Sequence, residues 1–137
     1  MSESAVVRTL HRCVMETWPN AHWQRLESHA EPGIPDVNVG IPGLGEWWVE
    51  VKHLAELPVR ETTKVKIGLR AAQPMWLTKR KLAGGRVIIF AKVDNTFMAF
   101  DDRFRDLYDG LTLQELTSLA YWTGKFTQPE RIFRPLC

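Results

Sequence analysis

Residues 36–52 read DVNVGIPGLGEWWVEVK and decide the predicted fold. Asp36–Ile41 predicts a short strand, and Glu46–Lys52, rich in Trp and Val, predicts the next one. The Pro-Gly-Leu-Gly connection between them is short, which favours an antiparallel hairpin. Because alternate side chains of a strand share a face, Glu50 and Lys52 should project together. Pairing of the two strands would also place Asp36 beside Glu50.

These three charged side chains suggest a chemistry. Two carboxylates a few ångströms apart repel each other unless a divalent cation neutralises them. Oxygen ligands favour Mg²⁺ or Mn²⁺, with water and a substrate phosphate completing the octahedron. Lys52 could orient or help deprotonate the attacking water, or stabilise charge on the phosphate. The structural alternative is that Pro-Asp forms a turn and Glu-x-Lys an exposed ion pair.

The flanking sequence predicts an α/β arrangement around this hairpin. A strand, a crossover helix and another strand imply one parallel pairing inside a mixed sheet. Gly84-Gly85 is a strong helix stop, and residues 54–66 lack periodicity, which predicts a mobile loop. The other expected elements are a helix over 2–18, a strand over 22–28, a helix from about 68 to 83, strands over 86–92 and 96–100, and helices after Asp101.

Length and composition predict one globular domain. The chain has 137 residues, of which 45% are hydrophobic and 25% charged. We expect a domain over 1–137, with a core over about 1–100 and a helical C-terminal extension over about 101–137. Cys13 and Cys137 belong to no CxxC or Cys/His cluster, which argues against structural zinc and favours a reducing cytoplasm. We predict no signal peptide and no membrane span, hence a cytoplasmic protein.

The charges are distributed unevenly along the chain. Residues 52–92 contain ten Lys or Arg residues and two acids, a net charge of +8, whereas the whole chain carries only +2. The remainder therefore carries a net charge of −6. A solvated helix face explains part of this asymmetry. The functional alternative is that the basic segment binds a polyanion.

Four stretches together resemble the PD-(D/E)XK nuclease superfamily. They are Gly33-Ile34-Pro35-Asp36, Glu50-Val51-Lys52, Leu69-Arg70-Ala71-Ala72-Gln73-Pro74-Met75-Trp76, and Gly84-Gly85 with the strand that follows. The resemblance covers about residues 1–92. Within the superfamily, the sequence most resembles the stand-alone VRR-NUC-type nucleases. Many of these are phage-encoded, and they are similar to Holliday junction resolvases. It implies a restriction-endonuclease-like core of helix, three strands, helix and strand, with a mixed central sheet and the active site at the hairpin.

The resemblance also implies roles for individual residues. Asp36 and Glu50 would be metal ligands, the Val51 carbonyl a further ligand, and Lys52 the catalytic lysine. Gln73 matches the glutamine of the following helix that lies beside the site in this branch, and a buried glutamine there could satisfy its amide on the carboxylates or on a phosphate. Arg70 departs from the family pattern, in which a small polar residue is frequent, and this bears on substrate preference.

In such nucleases, an acidic residue of the first helix commonly completes the site. Glu3 shares a helical face with Val6 and Leu10 and could look toward the sheet, whereas Glu16 lies one turn from the helix end. Glu3 is the leading candidate for a third ligand. The structural alternative is that both are helix-surface acids and that Glu3 complements the helix dipole.

The basic segment supplies candidates for DNA contacts. They are Lys64, Lys66, Arg70, Lys79, Arg80 and Lys81, which would bind backbone phosphates in a sequence-independent, salt-sensitive way. Trp48 shares the strand face of Glu50 and Lys52, so it either packs under the first helix or lines the substrate groove.

The leading hypothesis is a Mg²⁺- or Mn²⁺-dependent endodeoxyribonuclease that acts on branched DNA such as a Holliday junction. The resemblance implies a homodimer, whose two-fold axis would let two sites cut two strands. The leucine-rich segment 111–122 is a candidate interface, although core packing is the favoured interpretation. One alternative is a non-catalytic DNA-binding module with the nuclease fold. Another is a sequence-specific restriction-type endonuclease, for which 137 residues leave little room for base reading.

Overall fold

The computed structural model describes residues 2–26 and 31–134. Within these residues no helix is both long and apolar enough to cross a bilayer. In chain order the elements are α1 (Glu3–Thr17), β1 (His22–Arg25), β2 (Val37–Ile41), β3 (Gly45–Leu54), α2 (Ala72–Leu82), β4 (Val87–Val93), β5 (Thr96–Phe100), α3 (Phe104–Asp109), α4 (Leu113–Leu119), β6 (Trp122–Gly124) and α5 (Pro129–Ile132).

The strands form one mixed sheet in the order β1-β2-β3-β4-β5-β6. β3 and β4 pair in parallel, and α2 is the crossover between them, whereas the other neighbours are antiparallel. The element order begins with a helix, three strands, a helix and a strand, as the resemblance implies. The predicted fold class, a restriction-endonuclease-like α/β core with a mixed central sheet and C-terminal helices, is therefore confirmed.

Each face of the sheet has its own hydrophobic core. One core joins α1 to β2, to the Trp47, Val49 and Val51 side of β3, and to the end of the chain around Phe133. The other core joins α2, α3 and α4 to the opposite side of β4 and β5. Because side chains alternate along β3, Glu50 and Lys52 lie on the face that α2 covers, and α1 lies on the other.

The segment between β3 and α2 differs from the prediction. The expected helix from about residue 68 begins only at Ala72, because Val65, Ile67 and Leu69 are buried at alternate positions, as in an extended chain. Val65 pairs with Leu111 through two backbone hydrogen bonds of 2.6 and 3.1 Å. The prediction of a mobile loop over 54–66 is therefore wrong at its C-terminal end, where burial anchors the chain.

The C-terminal part is more than a helical extension. β6 adds a sixth strand to the sheet, which the sequence pattern did not predict because it is only three residues long. Leu111, Leu116 and Trp122 are buried in the two cores, so core packing accounts for much of segment 111–122. Part of the predicted first strand, residues 27–28, and Cys137 lie outside the described residues.

Candidate active site

Glu50 and Lys52 form a buried ion pair on β3. Lys52 Nζ lies 3.0 Å from Glu50 Oε2. Glu50 is 2% exposed and Lys52 is 5% exposed, although both are charged residue types that proteins rarely bury. The interpretation of Glu-x-Lys as an exposed surface pair is therefore wrong. Burying such a pair carries a desolvation cost, which makes a functional reason for it the more economical explanation.

The register of the β2–β3 hairpin brings Asp36 to this pair. Val37 lies opposite Val49, so Asp36, one residue before β2, follows on the side of Glu50. Its Oδ2 accepts a hydrogen bond of 2.8 Å from the Val51 N–H. The N–H and C=O of one strand residue point to the same side, so the Val51 carbonyl also faces the Asp36 side. The structure thus brings the Asp36 carboxylate and the Val51 carbonyl to the same side of β3, next to Glu50.

Gln73 closes the site from the first turn of α2. Its Nε2 donates a hydrogen bond of 2.7 Å to Glu50 Oε2, and its Oε1 accepts one of 2.8 Å from the Arg70 N–H. Gln73 is 1% exposed, and these bonds satisfy both ends of its amide. The Arg70 backbone contact could not be predicted from the sequence, since a backbone donor carries no residue preference.

Glu50 uses only one of its two carboxylate oxygens. Oε2 accepts from Lys52 and Gln73, whereas Oε1 is buried and has no hydrogen-bond partner among the described residues. Burial, and next the nearby Asp36 carboxylate, raise the pKa of Glu50 from 4.5 to about 7, although Lys52 and Gln73 favour the ionised form. An unpartnered buried carboxylate oxygen beside a second carboxylate has the donor properties of a cation ligand.

These donors fit a small hard cation. The described residues contain no group of three or more His, Cys, Asp or Glu side chains able to hold a metal, so the protein would supply Asp36, Glu50 and the Val51 carbonyl. Mg²⁺ typically takes one or two carboxylates and completes its shell with water and substrate phosphate oxygens. Mn²⁺ accepts the same oxygen ligands. Protein zinc sites are built mainly from Cys and His ligands, which this cluster lacks.

Glu3 does not join this cluster. It is exposed in the first turn of α1, and no three-carboxylate group that would include it occurs in the described part of the chain. The physical reason is the layering: α1 packs on the face of β3 that carries Val49 and Val51, opposite Glu50. The expectation that Glu3 looks inward is therefore wrong. Glu16 is exposed as well.

Gly33 fixes the position of the loop that carries Asp36. It is buried and has φ +90, a conformation that favours glycine. A Cβ at this position would lie 2.5 Å from the Ala72 carbonyl oxygen at the start of α2. The loop and the helix of Gln73 therefore approach closely because residue 33 lacks a side chain. The close approach and the positive φ together account for glycine at position 33.

The side chains predicted to contact DNA are exposed, and they lie on the extended segment before α2 and on α2 itself. Lys64, Lys66 and Arg70 alternate with the buried residues of the extended segment, so they project to solvent. Lys79, Arg80 and Lys81 lie in the last turn of α2. Lys81 is partly committed within the protein, since its Nζ donates to the Asp101 carbonyl at 2.7 Å and lies 3.4 Å from Asp102.

Trp48 packs against α2 rather than under the first helix. Its ring lies 5.4 Å from that of Trp76, and the Arg80 guanidinium lies 4.9 and 5.0 Å from the two ring centres. Trp48 and Arg80 also line a cavity of about 410 Å³, together with Arg86. The spacing of Trp76 and Arg80, four residues apart on one helix, was the signal for this contact.

No family model matches the sequence, and no curated protein matches it. Among solved structures, the chain is similar to the Holliday junction resolvase Hjc of the archaeal hyperthermophile Archaeoglobus fulgidus. The TM-score is 0.45 and the identity 20%, over 80% of this chain and 97% of that chain.

Proposed function

We propose that this protein is a divalent-metal-dependent endodeoxyribonuclease that hydrolyses DNA phosphodiester bonds. One observation carries the proposal: the buried Glu50 carboxylate is held by Lys52 and Gln73 through Oε2, while Oε1 has no hydrogen-bond partner in the described chain. A module that only binds DNA gains nothing from two adjacent carboxylates, which repel phosphate. A metal-dependent hydrolase requires such carboxylates.

The proposed metal ligands are Asp36, Glu50 and the Val51 carbonyl. The bound Mg²⁺ or Mn²⁺ would lower the pKa of a water molecule and polarise the phosphate. Gln73 holds Glu50 in place, and the Val51 N–H holds Asp36, so both carboxylates are oriented before any cation arrives. Preorganised ligands lose little freedom on binding.

Lys52 is the proposed catalytic lysine. Its ammonium group is held 3.0 Å from Glu50 and is almost entirely buried, so it acts in an environment where water screens charge weakly. An ammonium group there can orient the attacking water and stabilise the charge that develops on the phosphate. Glu50 fixes the Lys52 side chain through the ion pair, so loss of Lys52 should affect the chemical step more than metal binding.

The proposed substrate is branched DNA, such as a Holliday junction or a replication intermediate. The exposed Lys and Arg side chains of the extended segment and of α2 would contact DNA phosphates without reading the base sequence. We propose a homodimer, in which two sites could cut two strands symmetrically. The motif residues further support assignment to PD-(D/E)XK nucleases of the VRR-NUC type, many of which are phage-encoded.

A gel assay with labelled DNA tests the activity and its substrate. Four-way junction, splayed-arm, linear duplex and single-stranded DNA are incubated with Mg²⁺, Mn²⁺ or EDTA, with the wild type and with Glu50→Gln. We expect cleavage of the junction with either metal, none in EDTA, and none by the variant. Paired symmetric nicks in the junction would support resolution of branched DNA.

Other outcomes would separate the alternatives. DNA binding without cleavage under every condition would leave the non-catalytic module. Cleavage of linear duplex at one short sequence would favour a restriction-type enzyme. Equal cleavage in EDTA would contradict the metal dependence itself.

A further inference from the structure

A second basic cavity lies away from the carboxylates, at the end of the sheet where β3 and β4 begin. Its volume is about 380 Å³, and its polar and aromatic lining comprises Trp47, Lys81, Arg86, Asp101, Tyr121 and Arg134. Three basic side chains and one acidic side chain therefore line this cavity. Arg86 and Arg134 were not among the predicted DNA contacts.

The two arginines are positioned by aromatic rings instead of carboxylates. The Arg86 guanidinium carbon lies 4.8 Å from the centre of the Trp47 ring, and that of Arg134 lies 4.5 Å from the centre of the Tyr121 ring. Arg86 also donates a hydrogen bond to the Leu44 carbonyl. Within residues 2–26 and 31–134 neither arginine forms a salt bridge.

The acids near the cavity do not neutralise these arginines. Asp102 lies 3.4 Å from Lys81 Nζ, and the Asp101 backbone carbonyl accepts from the same group. Lys81 is therefore already bound to these neighbours. The guanidinium groups of Arg86 and Arg134 still have N–H donors without a carboxylate partner among the described residues. A guanidinium group stacked on a ring still presents its edge, which matches a phosphate in a bidentate way.

The cavity adjoins the cavity that Trp48 and Arg80 line. Arg86 and Gly85 line both this cavity and the one formed by Trp48 and Arg80. The Trp48 N–H donates a hydrogen bond of 2.9 Å to the Arg86 carbonyl, and Trp48 lies two residues before Glu50 on the same face of β3. Two residues of a strand span about 7 Å. Trp47, on which Arg86 stacks, lies on the opposite face of β3 from Glu50, so DNA that contacts both regions would pass around the end of the sheet.

We propose that Arg86 and Arg134 each bind a backbone phosphate of the DNA substrate at this cavity, as a second contact region separate from the catalytic carboxylates. This inference rests on the proposed function in that DNA is the ligand. Each phosphate contact adds about 0.9 to the slope of log affinity against log salt concentration for duplex DNA. Two contacts therefore predict a measurable difference in salt dependence.

The test compares DNA binding of the wild type with that of the double variant Arg86→Gln/Arg134→Gln. A labelled four-way junction is titrated in EDTA, so that no strand is cut, at several salt concentrations between about 50 and 200 mM. We expect the variant to have a shallower slope, by about 1.8, so that the wild type loses roughly tenfold more affinity over this range. The matched control, Arg8→Gln/Arg12→Gln, removes two exposed arginines of α1 and should keep the wild-type slope.

Folding and ligand source are controlled separately. Arg86 packs within the protein, so the exposed Arg134→Gln variant provides an independent test and should lower the slope by about 0.9 if the double variant unfolds. Inorganic phosphate is titrated calorimetrically against the same proteins. One outcome is that the double variant loses the heat of phosphate binding and yet keeps the wild-type slope for DNA. That result would mean a site for free phosphate and would overturn the proposal.

The remaining outcomes also decide the matter. Equal slopes for wild type and both arginine variants would overturn it, as would an equal decrease in the α1 control. If the wild type binds DNA with the expected slope difference but never cuts it with Mg²⁺ or Mn²⁺, the nuclease proposal fails and the second contact region stands. If the wild type cuts DNA and the slopes are equal, the nuclease proposal stands and the second contact region fails.

Discussion

At the residue scale, the Glu50 carboxylate is buried beside the Asp36 carboxylate. Its negative charge is therefore unfavourable unless a proton or a metal cation neutralises it. Burial and the neighbouring Asp36 raise its pKa to about 7, against the opposing effect of Lys52 and Gln73. Without metal, folded protein therefore retains a proton on Glu50 at pH values where the unfolded chain has released it. A divalent cation would replace that proton, so metal binding should weaken as the pH falls below about 7.

The substitution Glu50→Gln should remove this dependence on pH. The folded-state pKa of about 7 lies above the ordinary 4.5, so the contribution of Glu50 to stability is full below pH 4.5 and is lost as the pH rises through 7. The loss is on the order of 3 kcal/mol in metal-free protein. Urea unfolding at pH 5 and pH 8 in EDTA measures it for both proteins. The same decrease in the variant would contradict this account of Glu50.

The substitution Gln73→Leu should destabilise the protein and slow DNA cleavage. It removes the donor to Glu50 Oε2, which then keeps only Lys52, and the acceptor of the Arg70 N–H; because a hydrogen bond to a charged group contributes about 1.5–3 kcal/mol, we expect a loss of that order. The control Gln114→Leu changes an exposed residue of α4 and should stay within about 0.5 kcal/mol. Chemical denaturation compares the two. Equal stabilities would mean that the amide contacts contribute little.

At the element scale, the hairpin and the start of α2 are held together by a contact that only glycine permits. Gly33→Ala would bring a methyl group against the Ala72 carbonyl and would also strain a backbone with φ +90. Gly43 has φ +81 but open space around it, so Gly43→Ala isolates the backbone strain. We expect Gly33→Ala to lose about 1–3 kcal/mol more than the control. Thermal unfolding of the two variants measures the difference.

Much of this element structure could be predicted from the sequence. The period-two pattern of 36–52 and the position of Gly84-Gly85 predicted the hairpin and the parallel pairing correctly, because both signals are local. The start of α2 was misplaced because Leu69 fits a helical spacing as well as the alternating burial it actually has. Glu3 was misplaced because a helical face identifies neighbours on the helix but not the side of the sheet on which the helix packs.

At the scale of the whole molecule, the C-terminal part is integrated into the core that α1 covers. Phe133 is fully buried, with its ring 5.4 Å from Trp47 and 6.2 Å from Trp18. These contacts link the end of the chain to its beginning, and no local sequence pattern reveals such a distant pairing. Residues from the predicted C-terminal extension therefore contribute to the core that α1 covers.

A matched pair of substitutions tests this integration. Phe133→Ala should lower the free energy of unfolding by about 3–5 kcal/mol, because it removes a large side chain from a packed core. Phe126→Ala, at a phenylalanine that is 80% exposed, should change it by less than about 0.5 kcal/mol. Equilibrium unfolding in urea compares them. Similar small losses would mean that the C-terminal part is only loosely attached.

The most direct test of the central claim is single-turnover cleavage of a labelled four-way junction in Mg²⁺ by the wild type and by Lys52→Ala, with Lys125→Ala as an exposed-lysine control. DNA affinity in EDTA and thermal stability are measured for the same proteins. We predict that Lys52→Ala binds the junction but cuts it about 10²–10⁴-fold more slowly, while the control cuts at the wild-type rate. Cleavage by a folded Lys52→Ala at the wild-type rate would contradict the assignment of this site as the catalytic centre.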